Sequence, residues 1–285
     1  MTLAIVTDST ASLSVDIASA RDVTVVPLEV VVDGRSYTEG LDVTSADLAR
    51  ALRAGRAVGT SRPAPERFSR VYAGLAERGA EAIVSVHLSS RVSATLESAQ
   101  LAAQDCTVPV TCVDSLQVGM ATGYAVLTAA DARDAGKSAD DVAKAARDRS
   151  ERATTYFYVA TLDYLRRGGR IGTASALLGS ALSVKPILGV KDGRVRPIEK
   201  VRTSTRAIAR LEELTAQAVA SHGDEVDVAV QHLDADAQAR ALAERLGESL
   251  GRESIDVMEV GAVIGAHVGP GLLAVTVSAQ MPSLG

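Results

Sequence analysis

Short β-rich runs alternate with helical segments through the first half of this 285-residue chain. The predicted strands are residues 3–6, 23–32, 82–86 and 110–113, and Pro27 interrupts the second of them. Apolar residues recur at helical spacing in 45–54, 65–77 and 93–104. Strands that alternate with helices form βαβ units, so the first half is predicted to fold around a parallel sheet.

The second half has a different pattern. Residues 188–195 predict a hairpin, because Asp192-Gly193 is a dipeptide typical of tight turns. Further predicted strands are 156–160, 226–232, 255–260 and 272–277, and predicted helices are 175–182, 204–220 and 235–250. We therefore predict an α/β protein of two domains, a parallel-sheet domain over 1–152 and a mixed or largely antiparallel α/β domain over 153–285. The boundary is placed at the end of an Ala-rich helix predicted over 138–152.

Composition limits the protein classes that fit. Hydrophobic residues make up 47% and charged residues 23%, which is ordinary for a soluble protein. The longest apolar stretch near a terminus, 261–277, contains His267 and Pro270 and is shorter than the roughly 20 residues of a membrane span. The N-terminus has Asp8 soon after a short apolar run and resembles no secretory signal. We expect a cytoplasmic protein without integral membrane association.

No metal or cofactor site is predicted. The two cysteines, Cys106 and Cys112, are spaced neither as a redox pair nor as zinc ligands, and the four histidines lie far apart. No G-x-G-x-x-G, P-loop or G-x-S-x-G motif occurs, so the chain has no recognisable machinery for nucleotide or hydride chemistry.

Charge is unevenly distributed. The net charge is −5, yet residues 160–210 carry 11 Lys and Arg against 3 Asp and Glu. Aromatic residues are only 3% of the chain and do not alternate with these cations, as they would in a single-strand nucleic-acid platform. We predict no nucleic-acid partner, and we interpret the basic segment as a surface for phosphate or an acidic partner, or as ordinary solvated charge.

Hydroxyl side chains follow several predicted strands. They occur at 7–10, 89–90 and 114–115, and a further loop at 59–63 precedes a helix. Ligands of an open parallel sheet bind beyond the carboxyl ends of its strands, where helix N-termini favour a carboxylate or a phosphate. Ser, Thr and Asp are also the preferred helix caps, which explains each loop singly. Capping explains less well the crowding of Ser89, Ser90, Ser93 and Thr95.

Two further features carry candidate ligand-binding groups. His267 lies among the glycines of 261–271, which a plain core strand would avoid, although a lone apolar-flanked histidine is more often a core residue. Arg166, Arg167 and Gly168 are typical of a helix end, whereas Arg170 lies beyond that cap and is not explained by it. Arg202 precedes a helix start, where a cation is mildly unfavourable, which suggests a use for its charge.

Seven segments occur in the order and spacing of a known family and extend over the whole chain. They are 6–10 (VTDST), 60–63 (TSRP), 88–95 (LSSRVSAT), 165–171 (LRRGGRI), 185–188 (KPIL), 200–203 (KVRT) and 265–271 (GAHVGPG). On these motifs the chain resembles the DegV family.

The resemblance implies a bacterial fatty-acid-binding protein of two α/β domains, with the acyl chain buried between them. It implies that the bound carboxylate is presented to a separate fatty acid kinase subunit, which makes acyl phosphate for phospholipid synthesis. By motif position, Ser93, the loop with Thr60, Ser61 and Arg62, and His267 would bind the carboxylate. Arg170 and Arg202 correspond to positions associated with the kinase partner. The protein would then be a carrier without cofactors and not an enzyme.

Two positions depart from the family pattern. The chain has Ala94 where the family usually has Gly, and Arg62 where it usually has Gln. Ala94 adds a methyl group where the backbone approaches the head group, and Arg62 adds a cation beside the expected carboxylate.

Two alternatives remain open. One is a serine-dependent enzyme acting on acyl or phosphorylated amphiphiles, with Ser93 or Ser90 as nucleophile and His267 as base, for which the sequence names no acid partner. The other is a regulatory binder of a different anionic lipid.

Overall fold

The computed structural model describes residues 2–61, 63–177, 185–223 and 225–281. The strands in this part of the chain are β1 (Leu3–Asp8), β2 (Val23–Val26), β3 (Glu29–Val32), β4 (Arg35–Thr38), β5 (Val58–Thr60), β6 (Ala82–His87), β7 (Val110–Asp114), β8 (Ala153–Tyr158), β9 (Lys185–Lys191), β10 (Arg194–Val201), β11 (Val226–Leu233), β12 (Asp256–Glu259) and β13 (Leu272–Ala279). The α-helices are α1 (Val15–Ala20), α2 (Ser45–Arg53), α3 (Pro65–Glu77), α4 (Thr95–Gln104), α5 (Met120–Asp134), α6 (Ala139–Glu151), α7 (Asp163–Arg167), α8 (Ser204–His222), α9 (Asp236–Leu250) and α10 (Ala262–Val268).

The first half contains a parallel sheet of four strands, as predicted. Its order is β2-β1-β6-β7, and all three pairings are parallel. The central strand β6 is buried at every position, which is typical of a strand covered by helices on both faces. Ala- and Val-rich positions of α5 and α6 pack on one face, and Phe68 and Tyr72 of α3 pack on the other.

The second half contains a mixed sheet of six strands, again as predicted. Its order is β10-β9-β8-β13-β11-β12, antiparallel except for the parallel pair β11 and β12. The predicted hairpin is confirmed as β9 and β10. Asp192 (φ 51°) and Gly193 (φ 72°) both have the left-handed conformation that a tight hairpin turn needs. Helices α8 and α9 pack on one face of this sheet through a shared apolar core.

A third, three-stranded antiparallel sheet was not predicted. Its order is β4-β3-β5, and it arises because Pro27 divides the predicted strand 23–32 into β2 and β3, which join different sheets. Val30 and Leu48 pack in the same core as Phe157, Leu233 and Val263, so this sheet and α2 lie against the second half. The domain boundary at residue 152 stays a prediction; α6 ends at Glu151 and β8 begins at Ala153.

Four helical segments differ from the sequence interpretation, and one of them is the short helix α1, which was not predicted. Helix α5 was not predicted, because it is buried at 11 of its 15 positions and so shows no polar face to create a period. Residues 262–268, singled out only for their glycines, form α10. The predicted helix 175–182 begins as a 3₁₀ segment (Gly172–Leu177), and its residues from 178 onward lie outside the described part. Among the described helices, none is both long enough and apolar enough to cross a membrane.

Candidate functional site

A largely apolar cavity lies where the three sheets meet. It has an empty volume of about 1110 Å³, open solvent at its mouth included. Its walls come from the loops after β1, β6 and β7, from β5 and α10, and from strands of the six-stranded sheet. The apolar side chains of the wall are Leu28, Leu88, Val92, Ala94, Val118, Phe157, Leu165, Val190, Val195, Val260, Val263, Ile264, Val268, Leu272 and Ala274. Such a wall suits the hydrocarbon part of a ligand.

Polar side chains collect on one side of this cavity. Thr60, Ser61, Ser93, Arg170 and His267 all line it. Contacts connect them: Thr60 Oγ1 is 3.0 Å from His267 Nε2, the His267 ring packs on Gly168, and the Arg170 guanidinium donates to the carbonyls of Gly168 and Val92. The structure therefore brings together four of the five predicted ligand-binding residues and one of the two predicted partner-binding residues.

His267 is a neutral imidazole in this site. Burial, with a smaller effect of the Arg170 cation, lowers the pKa of His267 to about 4. Its Nδ1 atom is buried and has no hydrogen-bond partner in the described part of the chain. A buried N–H without a partner is rarer than a buried acceptor without one, which favours the tautomer with the proton on Nε2. In that tautomer Nε2 donates to Thr60 Oγ1, and the hydroxyl proton of Thr60 is free for a ligand oxygen.

Glycine spacing places α10, which carries His267, close to its neighbours. Gly261, Gly265 and Gly269 recur every four residues, and a Cβ at Gly265 would collide with Leu48 and Leu233. The N-terminus of α10 is capped from the first half, because the Val263 N–H donates to Glu39 Oε1 over 2.8 Å. Burial raises the pKa of the Glu39 carboxyl, partly opposed by hydrogen bonds from Ser9 and the Val263 amide. Close packing and this cap fix the position of His267.

A glycine-terminated helix end positions Arg170. Helix α7 ends at Arg167, as the sequence predicts, but the left-handed residue is Gly169 (φ 69°) and not Gly168. The amide of Gly169 donates to the Arg166 carbonyl and the amide of Arg170 donates to the Leu165 carbonyl. This pair of bonds is a Schellman motif, which turns the chain back and directs Arg170 to the cavity.

Ser93 lies just before α4, which begins at Thr95 and not at Ser93 as expected from the periodicity. Its hydroxyl accepts from the Thr95 amide at 3.3 Å and is 2.8 Å from Thr95 Oγ1. The N-cap residue of α4 is Ala94, and Ser93 before it bonds the first helical residue and also lines the cavity. Ser61 donates instead to Glu29, which forms an ion pair with Arg67. The Ser61 hydroxyl proton is thus already used.

The remaining predicted positions lie elsewhere. Arg62 is outside the described residues. Arg202 is exposed on the loop after β10 and does not line the cavity. Because β10 has eight residues, Arg202 is roughly 25 Å along the strand from the hairpin turn at about 3.3 Å per residue. Of the strand-end hydroxyls, Ser89 is buried against the Gly193 carbonyl and Ser115 bonds Thr122, so both have structural partners.

Three polar residues of the wall were not singled out as ligand-binding residues: Thr10, Gln231 and Thr155, whose hydroxyl lies 3.1 Å from that of Thr276. Thr10 belongs to the hydroxyl-rich segment 7–10 and reaches the cavity after β1. Gln231 is only 2% exposed on β11, where its Oε1 accepts from the Met120 amide at 3.0 Å, and its Nε2 has no partner in the described residues. No distinct sequence signal identifies Gln231, because the segment 226–233 also contains the polar residues Asp227 and His232.

A second histidine forms a complete network inside the parallel sheet. His87 Nδ1 is 2.9 Å from Asp8 Oδ2, His87 Nε2 is 2.7 Å from Ser85 Oγ, and the Tyr72 hydroxyl donates to Ser85 over 2.8 Å. All four side chains are fully buried, and none of them lines the cavity. The order Asp-His-Ser is that of a catalytic triad, but here Tyr72 occupies the serine.

The serine-dependent alternative receives no geometric support. Its base was His267, whose hydrogen bond among the described residues is to Thr60 and not to a serine, and no carboxylate orients its Nδ1. A nucleophilic serine needs a base within hydrogen-bond reach, and the base needs an orienting group. None of Asp8, His87 and Ser85 lines the cavity, although the wall residues Thr10 and Leu88 donate to Asp8.

Comparison with known proteins gives concordant results. The family model described as "Uncharacterised protein, DegV family" matches residues 2–280. A DegV domain-containing protein of Streptomyces coelicolor is 50% identical over 279 residues, 98% of this chain and 99% of the relative. A Thermus thermophilus DegV family protein, described for fatty acid binding, superposes with a TM-score of 0.90 at 35% identity, covering 98% of this chain and 100% of that one. DegV of Bacillus subtilis, described as a fatty acid binding protein, has a TM-score of 0.90 at 30% identity with the same coverage.

Proposed function

The chain belongs to the DegV family, and on that premise we propose that it binds one long-chain fatty acid and presents its carboxylate to a separate kinase. The observation that carries the proposal is the apolar cavity with Thr60, Ser93, Arg170 and His267 gathered on one side. Fatty acid binding by the Thermus thermophilus and Bacillus subtilis relatives supports it. The protein would act in the cytoplasm as a carrier, upstream of phospholipid synthesis.

The apolar wall accounts for most of the expected affinity. Each buried methylene of an acyl chain contributes about 0.8 kcal/mol, so a long tail outweighs the hydrogen bonds of one head group. The polar side then determines orientation. A carboxylate that leaves water needs charge-assisted hydrogen bonds, which the Thr60 hydroxyl, the Ser93 hydroxyl and the Arg170 guanidinium are placed to give.

Catalysis belongs to the partner in this proposal. A carboxylate oxygen of the bound acid attacks the γ-phosphorus of ATP, the bond from that phosphorus to the β–γ bridging oxygen breaks, and acyl phosphate and ADP result. The carrier holds the acid in place for this transfer. We assign Arg170 and Arg202 to partner contact: Arg202 is exposed and makes no ion pair in the described part of the chain, and Arg170 lies at the cavity wall.

The first experiment is native mass spectrometry of protein purified without added lipid, followed by lipid extraction and titration with palmitate. Wild type should carry a free fatty acid at one per chain. Ser93→Ala should weaken palmitate about tenfold, the loss of one charge-assisted hydrogen bond. Ser69→Ala is the matched control, since Ser69 is also half-buried but bonds only the Pro65 carbonyl within α3. Protein that arrives empty and refuses palmitate would refute the proposal.

A second experiment measures the phosphorylation of the bound acid by the kinase. Loaded protein, Mg-ATP and a kinase-containing extract should give acyl phosphate, trapped by hydroxylamine as the hydroxamate, and omission of the carrier should abolish it. Arg202→Gln should reduce the yield at unchanged palmitate affinity. Tight palmitate binding without hydroxamate would favour the regulatory binder instead.

A further inference from the structure

A second, polar cavity adjoins the apolar one. Its empty volume is about 660 Å³, and it shares with the apolar cavity the wall residues Val92, Ser93, Ala94, Arg170 and Val195. Its own part of the wall includes Ser90, Arg91 and Arg194. The two cavities are therefore separated only by residues that line both of them.

Three arginines and no acid line the described wall of this cavity. Arg91 and Arg194 are exposed, and in the described residues neither guanidinium has a hydrogen-bond or ion-pair partner. Arg170 uses Nε and Nη1 on backbone carbonyls and keeps further N–H groups unused. A single carboxylate does not require this much positive charge.

The fold brings the arginines together from both halves of the chain. The buried Ser89 hydroxyl accepts from the Arg91 amide at 3.1 Å and donates to the Gly193 carbonyl at 2.8 Å. Gly193 has φ 72°, and a Cβ there would collide with Ser89 and press on Arg91. The hairpin turn next to Arg194 thus packs on the loop that contains Arg91. Arg170 follows the end of α7.

We infer that this polar cavity is a phosphate subsite, which receives the phosphate head of a single-chain amphiphile whose tail occupies the apolar cavity. The inference rests on the proposed function and deepens it. A phosphate monoester carries about −1.5 to −2 charges near pH 7 and more acceptor oxygens than a carboxylate, and guanidinium groups match its geometry. Ser93 and Arg170 bind the junction of tail and head, and Arg91 and Arg194 bind the terminal phosphate oxygens. The site would retain the phosphorylated product until it is withdrawn.

The test compares two ligands of one chain length, palmitate and hexadecyl phosphate, a stable stand-in for an acyl phosphate. Binding is measured for wild type and for the double variant Arg91→Gln and Arg194→Gln. We expect hexadecyl phosphate to bind the double variant at least tenfold more weakly and palmitate to change less than twofold. Both arginines are exposed, so the expected difference shrinks in 0.5 M salt.

Lys200→Gln is the matched control. Lys200 lies on β10 like Arg194, is exposed and has no partner in the described residues, but it lines neither cavity. This variant should leave both ligands within twofold of wild type. A lysophosphatidate with a palmitoyl chain is the third ligand. If it binds as tightly as hexadecyl phosphate and with the same dependence on the two arginines, the natural ligand of the subsite is a lysophospholipid. If only hexadecyl phosphate binds in this way, the natural ligand is an acyl phosphate.

The outcomes separate the two proposals. The subsite is overturned if wild type binds palmitate but the double variant loses no affinity for hexadecyl phosphate, or loses no more than it loses for palmitate. The proposed function then still stands. A wild type that binds neither ligand overturns both.

Discussion

His87 and His267 are both buried, yet their surroundings differ in a way that separates structure from function. His87 uses both ring nitrogens, on Asp8 and on Ser85, and the network ends at Tyr72 inside the parallel sheet. His267 has Thr60 on one nitrogen and, among the residues that the structure describes, no partner on the other, and it lines a cavity. A satisfied network stabilises the fold, whereas the bond from His267 to Thr60 leaves the Thr60 hydroxyl proton at the cavity wall for a ligand oxygen.

His87→Ala is the substitution that we expect to destabilise the fold most. This variant removes one donor from the buried Asp8 carboxylate, which keeps those of Thr10 and Leu88, and leaves a cavity beside Phe68, so we expect the free energy of unfolding to fall by about 3–5 kcal/mol, measured by urea denaturation. His222→Ala is the control, because His222 is half-buried and bonds only Thr154. It should cost less than about 1 kcal/mol. Equal losses in the two variants would mean that the Asp8 network does not stabilise the sheet.

His267 should make the free energy of unfolding depend on pH. Burial lowers the pKa of His267 to about 4 from an unfolded value of 6.5, so the unfolded chain takes up the proton first as pH falls. The stability that neutral His267 contributes is complete above pH 6.5 and is lost between pH 6.5 and 4, on the order of 3 kcal/mol in total.

His267→Gln isolates this effect, because the raised pKa of Glu39 acts in the opposite direction in both proteins. Denaturant unfolding is measured for the lipid-free wild type and variant from pH 7 to 4. Over this range the free energy of unfolding should fall further in the wild type than in the variant. Parallel profiles would contradict a neutral His267. The variant should also weaken palmitate, whereas His87 substitutions should leave the affinity of the folded fraction unchanged.

Tyr72→Phe gives the smallest expected effect. It removes the last hydroxyl of the His87 network but leaves Ser85 bonded to His87, so we expect a loss of about 1 kcal/mol and no change in palmitate affinity. Tyr156→Phe is the matched control, since the half-buried Tyr156 hydroxyl has no partner in the described residues. A weakened palmitate affinity in Tyr72→Phe would show that the network reaches the cavity.

Much of the fold follows from local sequence. The parallel sheet, the hairpin at Asp192-Gly193 and helices α2, α3, α8 and α9 lie within a few residues of their predicted positions because each has a clear period or turn signal. Helix α5 has no such signal, since tertiary packing and not amphipathicity stabilises it. The three-stranded sheet escaped prediction because its strands have three or four residues.

The sequence named residues that line the candidate site but not the bonds that they make, and their binding of a ligand stays a prediction. Thr60, Ser61, Ser93 and His267 were identified, and they line one cavity. The lowered pKa of His267 and the use of Ser61 by Glu29 depend on neighbours distant in sequence, which periodicity does not report. The same holds for the Asp8–His87 pair, whose members are 79 residues apart.

The cap of α10 has a consequence for biosynthesis. Glu39 holds the Val263 amide, and the Ser45 hydroxyl donates to the Val260 carbonyl, so these bonds span 224 and 215 residues. Contacts of such long range form late in folding. On a ribosome, the parallel sheet of the first half is complete long before residue 260 is translated, while the apolar faces of β3 and α2 stay uncovered. The nascent chain is therefore exposed to aggregation until residues 260–268 emerge, and the cavity that they help to line cannot close before then.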